Sequence, residues 1–365
     1  MTLDRAQELE GYRIGVTGAG GFIGLALCSR LVSLGAAVVG LESDQRRAAA
    51  VHGTGAEPRA LDITDADAAT RGLSDCPLVV HTAALVSEGG RMSDFIRVNV
   101  RGTRNVLEAA RRADARRVVH ISSVAVWGYE FPNELDAGAS PRPCGAPYID
   151  TKGASDQMAL RAGAVVVRPG DVYGPGSVPW AIRPLQALRR GLLFVPRDGG
   201  GWMTPVYVQD LVDCLVLALR HPDAKGAFTA WDGHAVRASE FFAFYARMLG
   251  RPSVPSLPRP LLRLGAAAQE LAGQMTRTTP AVSRQALTYV SRRALFPNDR
   301  ARRVLGWRPA DEFGGGHGRH RTVVSRARDV VRPSARAKSR STRIRRPTWG
   351  TTVAAAPASP CSGSG

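Results

Sequence analysis

The chain has no run near the roughly 18 apolar residues needed to cross a bilayer, and no N-terminal apolar stretch patterned like a signal peptide. Both absences predict a soluble, cytoplasmic protein. Five cysteines (Cys28, Cys76, Cys144, Cys214 and Cys361) stand far apart, without the short paired spacings of a zinc site or a disulfide framework, so no metal is expected. No internal repeat is found, which excludes solenoids and propellers. Lysine is nearly missing: three residues (Lys152, Lys225, Lys338) among 49 basic ones. That arginine bias, with abundant Ala and Gly, reads as the mark of a GC-rich coding sequence. The net charge of +18 is unevenly spread, since residues 311–365 hold 11 Arg/Lys against 3 Asp/Glu and so carry +8. The remainder lacks a basic stripe interleaved with aromatics, so no specific nucleic-acid partner is expected.

What is present begins with Val16-Thr17-Gly18-Ala19-Gly20-Gly21-Phe22-Ile23-Gly24. An apolar strand enters this stretch and a helical pattern leaves it. Gly18 permits a tight turn, Gly21 lets the backbone approach a pyrophosphate, and Gly24 lets the helix pack against the strand. The helix N-terminus then aims unpaired N–H groups at the phosphates. A second strand, Ala37 to Leu41, ends in Glu42, 24 positions after Gly18, where a carboxylate accepts hydrogen bonds from an adenosine ribose. A glycine turn without a ligand is the competing reading, and the strand–turn–helix context weighs against it.

From Arg13 to Arg168 short apolar strands alternate with helical patterns, predicting an α/β fold with a Rossmann-type, doubly wound parallel sheet. Ligands bind beyond the C-terminal strand ends of such sheets. Glu42, Asp62, His81-Thr82-Ala83-Ala84, Ser122-Ser123 and Arg168 fall there. Residues 1–175 are read as the dinucleotide-binding domain, and residues 176–310 as a smaller substrate-binding lobe. Within that lobe a helix near 209–219 is expected to return to the first part. Residues 311–365 read as a disordered basic tail. A reading-frame change in a GC-rich gene would produce the break that follows Glu312. Leu261, Leu264, Ala268, Leu271 and Met275 form a helical stripe. Core packing is the first reading of it, with a pocket cover or a membrane-surface contact as alternatives.

Tyr148-Ile149-Asp150-Thr151-Lys152 is the second strong signal. With so few lysines, a chance Tyr-to-Lys spacing of this kind has an expectation of about 0.06. On a helix both side chains share one face. A neighbouring ammonium favours the phenolate and lowers the tyrosine pKa, so that the phenol can exchange a proton with a carbinol or carbonyl oxygen.

Taken together these stretches make residues 12–310 resemble the extended short-chain dehydrogenase/reductase family, the NAD-dependent epimerase/dehydratase group. Further matching stretches are Asp62-Ile63, Asn99-Val100 with Gly102-Thr103, Ser122-Ser123 before Val126-Trp127-Gly128, and Arg168-Pro169 before Val172-Tyr173-Gly174-Pro175. The resemblance implies an enzyme with Tyr148 as acid/base, Lys152 lowering its pKa and holding the nicotinamide ribose, and Ser123 bonding the substrate oxygen. It places Phe22 and Ile23 along the pyrophosphate, Asp62 and Ile63 at the adenine, Thr82, Ala83, Ala84 and Asn99 by the dinucleotide, and Pro169 and Gly170 at the nicotinamide. The implied cofactor is NAD, with NADP as the alternative because Arg46 and Arg47 follow Glu42. The implied partners are a small-molecule substrate and a second copy of the chain, as a homodimer.

Two departures narrow the substrate. Sugar-nucleotide members carry a phosphate-gripping arginine where this chain has Met203, and often Asn where it has Asp171, which offers no amide donor. Trp180, Phe194, Trp202 and Met203 are candidates for an apolar site. The expectation is therefore an oxidoreductase of the 3β-hydroxysteroid dehydrogenase-like branch, interconverting a secondary alcohol and a ketone on a sterol-like or acyl-derived molecule. A sugar-nucleotide epimerase/dehydratase is the alternative, and a catalytically silent dinucleotide- or RNA-binding scaffold is a third reading.

Overall fold

Strands that are apolar on both faces have to be covered on both faces, and the parallel sheet that results decides where a ligand can sit. A computed structural model describes residues 9–310, except 88, 129–134, 136–137 and 277–282. The predicted disordered tail, and the reading-frame break after Glu312, fall outside the described residues.

The main sheet contains β1 (Arg13–Thr17), β2 (Ala37–Glu42), β3 (Glu57–Ala60), β4 (Leu78–His81), β5 (Arg117–Ile121) and β6 (Val165–Pro169), and the strand Ala227–Ala230 completes it beyond β6. The strands run in the order β3, β2, β1, β4, β5, β6, Ala227–Ala230, and every pair is parallel. This is the Rossmann-type doubly wound fold. The winding reverses between β1 and β4, which are paired with Ile14 opposite Leu78 and Thr17 opposite His81. A crevice opens at such a reversal, at the C-terminal strand ends.

One face is covered by α1 (Phe22–Ser33) and the helix Val208–Arg220, with Leu27, Leu31, Leu211 and Leu215 packed on Ile14, Val16 and Val80. The other face is covered by Leu73 and Val106 against Val39, Leu41 and Val79. The expected division at residue 175 is crossed repeatedly. Val208–Arg220 and Ala227–Ala230 both build on the first part, and Trp307 is buried in the same core with its indole donating to the Asp210 carbonyl at 2.9 Å.

A second core gathers Tyr173, Leu185, Leu188, Met203, Phe241 and Tyr245. Beside it lies the helix Arg259–Thr276. Its sequence stripe is not core. Leu261, Leu264, Ala268, Leu271 and Met275 are exposed, while Leu262 and Ala266 turn inward. Periodicity locates an apolar face but not its neighbour, and here the chain seats the helix on the opposite face.

Candidate active site

Gly18 takes a φ of +67°, which a β-carbon disfavours. Its N–H donates to Leu41 at 2.8 Å, locking the turn onto β2. A β-carbon on Gly24 would lie 2.2 Å from the Gly18 carbonyl oxygen, so α1 can start against the turn only with glycine there. Glu42 is buried at the end of β2, and its two oxygens accept from the backbone N–H groups of Gly20 and Asp44, each at 3.1 Å. A negative charge thus stands beside the phosphate turn, where it would bond ribose hydroxyls and repel a 2′-phosphate. The turn, the carboxylate and the crevice together fit NAD.

Gly18, Gly21, Phe22, Ile23, Gly24, Glu42, Asp62, Ile63, Thr82, Ala83, Ala84, Ser123, Tyr148, Lys152, Pro169 and Gly170 all line one cavity of about 1630 Å³. Of the residues predicted to hold the cofactor or carry the chemistry, Asn99 alone is missing from that wall. It sits in a π-helical turn, Ile96–Gly102. Its carboxamide accepts from Leu85 N–H at 2.7 Å and donates to the Leu85 carbonyl and to Thr151 Oγ1, each at 3.1 Å. Asn99 therefore braces the loop after β4 against the helix Pro147–Arg161, which carries Tyr148 and Lys152.

Behind the wall runs a second chain of bonds. His81 Nδ1 lies 2.7 Å from Thr17 Oγ1 and Nε2 lies 2.9 Å from Thr103 Oγ1, whose hydroxyl donates to the Asn99 carbonyl at 2.6 Å. Thr103 spends its proton on that carbonyl, so His81 must carry its own on Nε2. Burial pushes the imidazole down to about 3, which keeps it neutral. The glycine turn and the helix Pro147–Arg161 are thereby wired together.

Ser123 follows β5 and caps a short helical turn, accepting from Ala125 N–H at 3.1 Å. The nearby Ser123 hydroxyl favours the Tyr148 phenolate, but burial outweighs this and raises the phenol above its usual range. The expected lowering by Lys152 is absent. The Lys152 ammonium is buried and donates to the Ile121 carbonyl at 2.6 Å, and its own pKa is pushed down to about 8 by burial. Arg168 is not offered to a ligand either. It forks onto Asp156 with two 2.8 Å bonds and lies over the Trp127 ring, pinning β6 to the helix Pro147–Arg161.

The far wall of the cavity corrects half of the apolar quartet. Trp180 and Phe194 line it; Trp202 and Met203 do not. Met203 is fully buried in the second core, its sulfur 3.9 Å from Arg292, and Trp202 stacks under Arg237. Asp171 is buried as well, accepting from Thr204 N–H and Tyr289 Oη at 2.7 Å each and ion-paired with Arg292. Leu257, Leu261, Leu287 and Tyr289 complete the wall. Leu261 belongs to the helical stripe for which a pocket cover is one reading, whereas Leu257, Leu287 and Tyr289 come from segments carrying no motif.

A Rossmann cleft in which a dinucleotide turn, a buried carboxylate and a Ser–Tyr–Lys set share one cavity defines an NAD-dependent enzyme. Residues 14–232 match the NAD dependent epimerase/dehydratase family, and the chain belongs to it. It is 29% identical over 307 residues to a 4-hydroxy-2-methyl-3-oxo-4-farnesyl-3,4-dihydroquinoline-1-oxide ketoreductase of Stigmatella aurantiaca, covering 80% of this chain and 90% of that one. To a UDP-glucose 4-epimerase of Mycolicibacterium smegmatis it is 30% identical over 318 residues, covering 80% and 92%. Its fold matches a UDP-glucuronic acid 4-epimerase from Bacillus cereus, solved with NAD, at a TM-score of 0.70 and 19% identity, covering 88% and 100%.

Proposed function

We propose that the chain is an NAD-dependent oxidoreductase that interconverts a secondary alcohol and a ketone on an apolar small molecule. The observation that carries this reading is the wall beyond Tyr148, built from Val178, Trp180, Phe194, Leu257, Leu261 and Leu287. Arg292, the buried cation nearby, is ion-paired with Asp171 and does not line that wall. The Stigmatella relative, named for reducing the ketone of a farnesylated quinoline, supports the same choice.

NAD bound along the glycine turn supplies the hydride acceptor for oxidation, and its reduced form the donor for reduction. In oxidation, Ser123 holds the substrate hydroxyl and the Tyr148 phenolate takes its proton as the carbinol C–H bond gives up hydride. In reduction, the Tyr148 phenol returns the proton to the ketone oxygen. Lys152, on the same wall, would hold the cofactor ribose. The homodimer implied by the family belongs to this proposal, with sedimentation analysis as its test.

A sugar-nucleotide epimerase is the second reading. Arg183 lines the cavity and would suit an anionic ligand, and the Mycolicibacterium relative is a UDP-glucose 4-epimerase. Thermal melting of the NAD complex separates the two. A bound ligand at 100 times its Kd stabilises by about 2.7 kcal/mol. Apolar secondary alcohols or ketones are expected to raise the melting temperature, and UDP- and dTDP-sugars to leave it unchanged. The opposite pattern would replace the oxidoreductase with the epimerase.

A further inference from the structure

The helix Arg259–Thr276 turns Leu262 and Ala266 into the cavity and leaves its other apolar face in solvent. On that face Leu261 is 54%, Leu264 68%, Leu271 60% and Met275 80% exposed. Across the opening, Val178 is 47%, Leu192 39% and Phe194 37% exposed. Val178, Leu192, Phe194 and Leu261 also line the cavity, so the exposed patch adjoins the cavity mouth. Single exposed apolar residues need no explanation, but seven of them on the segments that frame one opening do.

The two segments that frame this mouth carry a net positive charge. Residues 177–197 contain Arg183, Arg189, Arg190 and Arg197 and no acid, and residues 251–276 contain Arg251, Arg259 and Arg263 against Glu270. Glu270 and the adjacent Asp198 are each ion-paired, to Arg284 at 2.7 Å and to Arg259 at 2.8 Å. A second copy of the chain on a two-fold axis would set these arginines against one another. An anionic lipid surface complements them, and amphipathic helices with basic flanks lie in such interfaces.

We propose that this face docks on an anionic phospholipid bilayer, with Leu264, Leu271 and Met275 seated among the headgroups and acyl chains and the cavity mouth turned toward the lipid. An apolar substrate would then enter from the bilayer without crossing water, a clause that rests on the ketone/alcohol reading, whereas docking itself does not.

The test uses the full chain and vesicles of phosphatidylcholine with or without phosphatidylglycerol, in a sedimentation assay free of substrate. Wild type is expected to bind the phosphatidylglycerol vesicles. Leu264→Ser with Leu271→Ser, positions that do not line the cavity, is expected to lose binding by at least about tenfold. Arg190→Gln with Arg263→Gln should weaken binding and flatten its salt dependence. Three results would overturn the proposal: no vesicle binding by wild type at low salt, binding unchanged by the serine pair, or a serine pair that alters the protein's own sedimenting mass and not its vesicle binding. The second would trace binding to basic residues elsewhere, and the third would assign the face to a second copy. Reduction of a short, water-soluble ketone without vesicles is read separately. Its absence would sink the substrate reading and leave the docking result standing.

Discussion

Tyr148 sits where its proton is hard to lose, since burial raises the phenol and the Ser123 hydroxyl only partly opposes it. A proton held this way is still transferable to a ketone oxygen, and removing it should be decisive. Tyr148→Phe is expected to cut turnover by about 10²–10⁴-fold, with NAD affinity retained in a fluorescence titration. Retention of more than about a tenth of the wild-type rate would remove Tyr148 from the acid/base role. Lys152 carries a different cost. Its pKa falls from 10.5 in the unfolded chain to about 8 in the fold, so below that value the buried charge is held against its preference. Between about pH 8 and 10.5 the unfolded state binds the extra proton, and stability rises with pH. Urea unfolding of wild type and Lys152→Met should therefore differ by an amount that moves in favour of wild type from pH 7 to pH 10, by at most about 3 kcal/mol. A pH-independent difference would show that Lys152 is not titrating there.

At the scale of elements, the β1–turn–α1 unit depends on the absence of side chains. A β-carbon at position 24 would meet the Gly18 oxygen at 2.2 Å and Ala19 Cα at 2.8 Å, both backbone atoms that cannot swing aside. Gly24→Ala is expected to weaken NAD binding by at least about tenfold and to destabilise the fold by about 1–3 kcal/mol. An unchanged Kd would mean that α1 can shift without losing the cradle. The turn is legible in the sequence because glycine spacing is a local demand of the backbone. The role of Asn99 is not, because its partners Leu85 and Thr151 lie 14 and 52 residues away.

Across the whole molecule, the buried Asp171–Arg292 pair ties the segment after β6 to a residue 121 positions later. Removing one partner strands a charge. Asp171→Leu and Arg292→Met are each expected to cost about 3–5 kcal/mol in chemical denaturation, and the double variant to recover much of that loss. Additive losses would mean that the two charges are stabilised independently. The pair also explains why Met203 misleads when read as part of an apolar substrate site, and why Asp171 offers nothing to a substrate. Both are packed around Arg292, inside the wall rather than on it.

The sequence by itself determined the Rossmann order of strand, glycine turn and helix, the carboxylate at Glu42, and the Ser123, Tyr148 and Lys152 set on the cavity wall. Each of these is dictated by short-range geometry: turn dihedrals, one helical turn between Tyr and Lys, and the position of a residue at a strand end. Tertiary structure alone decided which apolar residues line the cavity. Trp180 and Phe194 reach the cavity while Trp202 and Met203 close a core, and the Leu261–Met275 stripe faces solvent. Hydrophobic burial is non-directional, so a pattern of apolar side chains states that a face is apolar. What covers that face is settled by the packing of segments far apart in the chain.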